Sequence, residues 1–208
     1  MPQLPQALRA WQTKSGSVNR LNGMLSVAAD SLTVDIDAFD SDPLALNVKN
    51  GTLRFYQDAE PYNGPDGSSR RLWHVRLDPH NPADRISRIC AFAYAPYASR
   101  SLWESHLEVV VPDPIERRFL ARQLGYCALG LTKEQVFLMW QGRGGDGKSV
   151  TSSVVRRVLG SYAETSDVQT FLEEKSGRSG AQASPDLARL AGATRFVATS
   201  EPPRGSRL

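Results

Sequence analysis

The stretch Gln135-Val136-Phe137-Leu138-Met139-Trp140-Gln141-Gly142-Arg143-Gly144-Gly145-Asp146-Gly147-Lys148-Ser149 decides the reading of this chain. Gln135 to Trp140 is an almost unbroken apolar run, the length of a strand buried in a parallel sheet. Gly142, Gly147, Lys148 and Ser149 then meet the spacing G-x-x-x-x-G-K-[ST], with Arg143, Gly144, Gly145 and Asp146 between them. Beyond it, Val150, Val154 and Val158, with Val155 and Leu159 beside them, repeat at helical spacing, and Gly160 closes the pattern. Strand, glycine-rich loop and helix together are the context that this spacing requires.

The residue types follow from the chemistry of holding phosphate. Backbone N–H groups must converge on oxygen atoms, so glycine stands where a Cβ would obstruct or where φ is positive. A helix that opens at Lys148 adds its unpaired N–H groups and the positive end of its dipole. Lys148 is then placed to bridge the β- and γ-phosphates of ATP, and the Ser149 hydroxyl to ligate Mg2+.

Downstream, Ser184-Pro185 reads as a helix start. Arg195 to Glu201 reads as an apolar strand ending in an acid, the form of a Walker B strand. Glu201 is thus the candidate catalytic carboxylate and second metal ligand, beside Lys148 as the catalytic cation.

Upstream, Leu21, Met24, Leu25 and Ala28 form an amphipathic helix over 18–29, and Leu32 to Ile36 alternates as a short strand. Asp35, Asp37, Asp40 and Asp42 lack the glycine and terminal glutamate of a calcium loop and read as caps and loop acceptors. Asn50-Gly51 between two short apolar runs predicts a hairpin with a type I′ turn. A loop is expected over 57–70, a strand over 72–77 and a helix from Ser99 carrying Leu102, Trp103, Leu107 and Val110. Asp113-Pro114-Ile115-Glu116 signals a further helix, with Asp113 as N-cap, that runs toward Gly130. His74, His80 and His106 are isolated in sequence and read as structural or surface residues.

Composition sets the bounds. With 208 residues, 40% apolar and 23% charged, the chain is globular in profile and long enough for one or two domains. No apolar run reaches membrane-spanning length, and the N-terminus lacks the pattern of a secretory signal. Cys90 and Cys127 read as free thiols. The net charge of +3 is concentrated after residue 141, which permits phosphate contact without amounting to a nucleic-acid footprint.

In this order the motifs resemble the phage and plasmid primase-helicases, whose C-terminal part is a superfamily 3 helicase. The matching stretches are Asn47-Val48-Lys49-Asn50-Gly51-Thr52-Leu53, Asp78-Pro79-His80, Tyr94-Ala95-Pro96 and Leu124-Gly125-Tyr126. The loop Gly142 to Ser149 and Asp186-Leu187-Ala188-Arg189-Leu190-Ala191-Gly192-Ala193 leading into Ser200-Glu201 complete the set. The resemblance implies an α/β P-loop NTPase with a partial parallel sheet, preceded by a small, mainly helical α+β domain. It divides the chain into an N-terminal tail (1–17), a pre-motor domain (18–130) and a partial motor (131–208).

The resemblance further implies ATP and Mg2+ as cofactors, DNA as partner, a homo-hexamer when complete, no membrane association and the cytoplasm of a bacterial host. Ser200 stands where many such ATPases carry an aspartate. The sequence ends seven residues after Glu201, before the sensor, DNA-contacting hairpin and arginine finger that the family implies. The expectation is therefore a C-terminally truncated motor that binds Mg-ATP weakly and does not unwind DNA alone. Two other readings stay open: a small-molecule kinase, and a non-enzymatic DNA-binding or assembly module whose nucleotide loop is inert.

Overall fold

The structure, a computed structural model, describes residues 5–134, 136–171, 185–190 and 192–199. Its contacts divide the chain at residues 38 and 39, into Met1–Ala38 and Phe39–Leu208. The expected division at 130 and 131 falls inside the second of these units.

The first unit is a helix pair, Gln6–Ser15 (α1) and Val18–Leu32 (α2), followed by a 3-10 turn at Ile36–Ala38. α2 bears out the helix expected from periodicity, yet its stripe of Leu21, Met24 and Leu25 stays exposed. The strand expected over Leu32 to Ile36 does not form. Asp35 Oδ1 instead accepts the Asp37 N–H at 3.1 Å, which closes a local turn and leads into the 3-10 segment.

The second unit begins with a hairpin of Ala45–Val48 (β1) and Gly51–Gln57 (β2). A two-residue hairpin, Tyr62–Asn63 (β3) and Ser69–Arg70 (β4), lies inside the expected loop. Trp73–Asp78 (β5) then pairs antiparallel with β2, giving the strand order β1-β2-β5. Next come Ser101–Val110 (α3), Pro114–Leu129 (α4) and Lys148–Leu159 (α5). Ala163–Ser166 (β6), Pro185–Leu190 (α6) and Phe196–Thr199 (β7) end the described chain, and β6 and β7 pair in parallel.

The first hairpin is where the sequence places it, but its turn is one residue earlier. Val48 pairs with Gly51, so Lys49 and Asn50 form the turn, and neither has positive φ. The amide of Asn50 explains the shift, because it is committed elsewhere. Its Nδ2 donates to the Tyr94 carbonyl at 2.9 Å and its Oδ1 accepts the Tyr94 N–H at 2.8 Å. Gly51 is needed for close approach: a Cβ there would press on the Asp78 carbonyl and the Leu77 side chain of β5.

The outer edge of β1 is closed by a strap rather than a strand. Cys90 N–H donates to the Asn47 carbonyl at 2.8 Å, and Lys49 N–H to the Phe92 carbonyl at 3.3 Å. The same strap meets the end of α5, where Ala91 N–H donates to the Val158 carbonyl at 3.2 Å and Ser161 N–H to the Ile89 carbonyl at 3.1 Å. The strap buries Cys90, whose thiol pKa is pushed up to about 11 by burial, and both cysteines are free.

Around the strap one core forms from Leu46, Val48, Leu53, Cys90, Val155, Leu159 and Tyr162, with Trp103, Leu124 and Phe196 packed against it. The hairpin and the helix after the glycine-rich loop therefore share their apolar interior. Of the valines and leucine expected on α5, Val155 and Leu159 face inward in a row with Thr151, while Val150, Val154 and Val158 are exposed.

Tyr162 is 0% exposed, and its hydroxyl accepts the Asn47 N–H at 3.0 Å. Tyr162→Phe leaves that strand-edge N–H without a partner. A loss of about 1–2 kcal/mol is expected, read as a lower denaturation midpoint with an unchanged slope.

The strand expected over Gln135 to Trp140 is a difference. Gln135 lies outside the described residues, and residues 136–141 carry neither helix nor strand pairing. Val136, Phe137 and Met139 are each more than half exposed. A strand needs a ladder on at least one side, and among the described residues none runs beside this segment.

The helix expected from Asp113 is confirmed at its start. Asp113 Oδ1 accepts the Ile115 N–H at 2.7 Å, Pro114 opens α4, and Gly130 ends it in the left-handed conformation. Three of the four aspartates act as loop acceptors, Asp35 in the turn already described. Asp42 Oδ1 accepts the Leu44 N–H at 2.9 Å, Asp40 Oδ1 accepts the Ser87 N–H at 2.8 Å, and Asp42 pairs with Arg54 at 3.1 Å. Among the described residues no helix is long and apolar enough to cross a membrane.

Candidate anion-binding loop and its surroundings

Three glycines shape the loop before α5. Gly144, Gly145 and Gly147 have φ of 87°, 67° and 80°, a conformation that side-chain-bearing residues rarely adopt. A Cβ at Gly144 or Gly145 would meet nothing within 4 Å, so backbone conformation and not crowding selects glycine there. Gly147 is the N-cap of α5 and Lys148 its first residue. The loop thus delivers the chain into a helix N-terminus, whose first N–H groups have no partner within the helix.

Lys148 leans back over the loop. Its Nζ lies 2.6 Å from both carboxylate oxygens of Asp146. A Cβ on Gly142 would run into this same carboxylate and come within 2.7 Å of the Lys148 ammonium. An anion therefore already sits on the lysine inside the loop, supplied by the chain itself. The hydrogen bond from Lys148 holds the Asp146 carboxyl below the usual carboxylate range. Its charge is therefore present throughout neutral pH, and this pairing is lost only as pH falls through that lowered value.

Of the other residues that the sequence singles out, Gly142, Arg143 and Ser149 are exposed at the two ends of the loop. Glu201, and Ser200 before it, lie outside the described residues. A shallow groove of about 320 Å³ starts at Ser149 and follows the exposed side of α5 past Val150, Ser153 and Val154 to Arg157.

The strand that leads toward Glu201 is anchored at its start. Arg195, just before β7, donates to the Ala128 carbonyl at the end of α4 and to the Ala45 carbonyl of β1. Its guanidinium lies 4.7 Å from the centre of the Tyr162 ring. Through Arg195 the hairpin, α4 and β7 are tied at one point.

Of the three histidines that are isolated in sequence, His80 reaches the Lys49 carbonyl only at 3.5 Å, and two have closer partners. His74 Nε2 is 2.7 Å from Asp58 Oδ1 on the rim of the sheet. His106 Nε2 is 3.0 Å from Thr151 Oγ1, in the first turn of α5. Sequence reasoning missed the second contact because no local pattern links residues 45 positions apart. Nothing local in the sequence marks Thr151 as buried, and it is burial that obliges its hydroxyl to find partners.

The family described as "D5 N terminal like" matches residues 3–112, more than half of the chain. The chain belongs to the D5 N terminal like family. The match takes in the helix pair, the hairpin sheet, the strap and α3, and it stops before α4 and the glycine-rich loop. The chain is also similar to the protein named "Putative helicase 022R" of Frog virus 3 (isolate Goorha), 36% identical over 93 residues. That alignment takes in 45% of this chain and 9% of the viral protein, so the chain spans a small part of its relative's length. Together the two matches support a D5-like, replication primase-helicase-related N-terminal region.

Proposed function

We propose that this D5 N terminal like chain is an ATP-binding portion of a phage- or plasmid-type replication helicase of superfamily 3. The observation that carries the reading is the loop before α5. Three positive-φ glycines lead into a helix N-terminus whose first residue, Lys148, already holds an anionic group. A carboxylate on the ammonium is a small stand-in for a phosphate, so the donor set fits the phosphates of a nucleotide.

In this reading Gly142 to Ser149 hold the β- and γ-phosphates, Lys148 neutralises their charge and the Ser149 hydroxyl is a Mg2+ ligand. Bound Mg2+ supplies charge neutralisation at the phosphates. Glu201 is the acid that orders it and activates water. The α/β arrangement supports the same reading, since α5 is followed, after a 3-10 turn at Gly160–Tyr162, by β6, and β6 pairs in parallel with β7, the strand that precedes Glu201 in the sequence. The exposed apolar segment 136–139 and the exposed row Val150, Val154 and Val158 are what the faces of a wider parallel sheet and its helix would cover. DNA as substrate, hexameric assembly and a place in the cytoplasm of a bacterial host belong to the same proposal.

One observation favours the alternative of a DNA-binding or assembly module with an inert loop. Asp146 engages Lys148 with both oxygens, and a phosphate must displace it. Calorimetric titration of the purified chain with Mg-ATP separates the two. Saturable binding supports the nucleotide site, and no heat of binding at millimolar ATP supports the inert loop. Asp146→Asn removes the competing charge and is expected to tighten Mg-ATP binding roughly 2- to 5-fold, the scale of one partly exposed ion pair. Unchanged affinity in that variant would mean that Asp146 is not in the path of the phosphates.

A further inference from the structure

We infer that His106, on the last helix of the family-matched segment, is a positioning residue for the glycine-rich loop. It acts through Thr151 on the carbonyl of Gly147.

The hydrogen bonds have only one consistent direction. Thr151 Oγ1 lies 3.0 Å from the Gly147 carbonyl, and the Thr151 N–H donates to that same carbonyl at 2.9 Å. A carbonyl cannot donate, so the single hydroxyl proton of Thr151 is committed to Gly147. The hydroxyl must then accept from His106, whose Nε2 is 3.0 Å away and carries the N–H. Thr151 is 3% exposed, so no bulk water competes for this bond.

The packing points the same way. A Cβ at Gly147 would strike the Val110 side chain and stand 3.5 Å from His106 Cε1, so α3 lies directly against the last glycine of the loop. The Trp103 ring, itself packed against the core, lies 5.9 Å from the His106 ring at an interplanar angle of 30°. His106 thus contacts Trp103 and bonds to the first turn of α5. Gly147 precedes Lys148, so fixing its carbonyl fixes the turn that aims the Lys148 side chain and the first N–H groups of the helix. His106 touches no phosphate position itself. Its effect on nucleotide rests on the proposed ATP site, whereas the bond to the loop stands on the geometry alone.

The test compares three substitutions in the full chain. His106→Phe keeps the ring and removes the donor. His106→Gln places an amide nitrogen near the reach of Nε2, and His106→Asn falls short of it. The readouts are Mg-ATP affinity by calorimetry and hydrogen exchange at the Thr151 amide without nucleotide. The expected result is a roughly 3- to 10-fold weaker affinity and faster Thr151 exchange for the Phe and Asn variants, the scale of one hydrogen bond, with both restored by Gln. Wild-type affinity in all three variants, alongside loss of binding in Lys148→Ala, would overturn the role of His106 and leave the nucleotide site intact. Absence of Mg-ATP binding by the wild type would instead overturn the nucleotide site. In that case Thr151 exchange decides the His106 role: faster in Phe and Asn but not Gln supports it, and no change refutes it.

Discussion

Lys148→Ala is expected to weaken Mg-ATP binding on the order of 10- to 100-fold, the loss of one charge-assisted contact of about 1.5–3 kcal/mol. Lys148 is the first residue of α5, and its ammonium is already turned into the loop. Folding is expected to change little, because the Lys148–Asp146 pair is partly exposed and makes no part of the core. The substitution also frees the Asp146 carboxylate, which then repels phosphate without compensation. Calorimetric titration with Mg-ATP, checked by an unchanged thermal midpoint of the nucleotide-free protein, measures the effect. Equal affinities for wild type and variant would remove Lys148 from the site.

The second large effect is on stability. Arg195 inserts its guanidinium among three elements, and burial pulls its pKa below the ordinary value. Among the described residues no carboxylate lies within ion-pair distance of it, so its partners are two carbonyls and the Tyr162 ring. Arg195→Met fills similar volume but strands the carbonyls of Ala45 and Ala128 and loses the ring contact. Relief of the lone buried charge offsets part of that loss, leaving a net cost of about 2–4 kcal/mol. For a chain of this size the thermal midpoint should fall by about 5–15 °C. Arg195→Lys should recover only part of it, because an ammonium cannot reproduce the fork that reaches both carbonyls. A midpoint within a degree of wild type in the Met variant would contradict the anchoring role.

These two residues also mark how far the sequence could be read. The glycine-rich loop was legible because its requirements are local. Positive φ, small residues and a helix start fall within eight consecutive positions, and Gly144, Gly145, Gly147 and Lys148 adopt the expected conformations. The helices over 18–32 and 114–129 were legible for the same reason, through spacing and through the Asp113-Pro114 cap.

What sequence could not supply is tertiary commitment. Asn50-Gly51 reads as a type I′ turn until the Asn50 amide is seen bound to Tyr94, 44 residues away. Leu32 to Ile36 alternates like a strand, yet the Asp35 turn forms there instead. The apolar segment after Gln135 resembles a buried strand, but a strand is a property of its neighbours as much as of its own residues. Arg195 carries no local signal at all, since its carbonyl partners lie 67 and 150 positions away.

The helical stripe of α5 shows the same limit in a milder form. Both Val150-Val154-Val158 and Thr151-Val155-Leu159 repeat at four-residue spacing. Only the hairpin core, through Leu46, Val48 and Leu53, selects the second row for burial.

A loop over 142–149 that receives the phosphates of a nucleotide must register them at its own amides. Backbone amide resonances of the intact chain, followed during titration with Mg-ATP and separately with inorganic triphosphate, measure this. Saturable shifts centred on Gly144 to Ser149 are expected with both ligands, much reduced by Lys148→Ala. Shifts confined to other parts of the chain, or none at these amides at millimolar ligand, would contradict it.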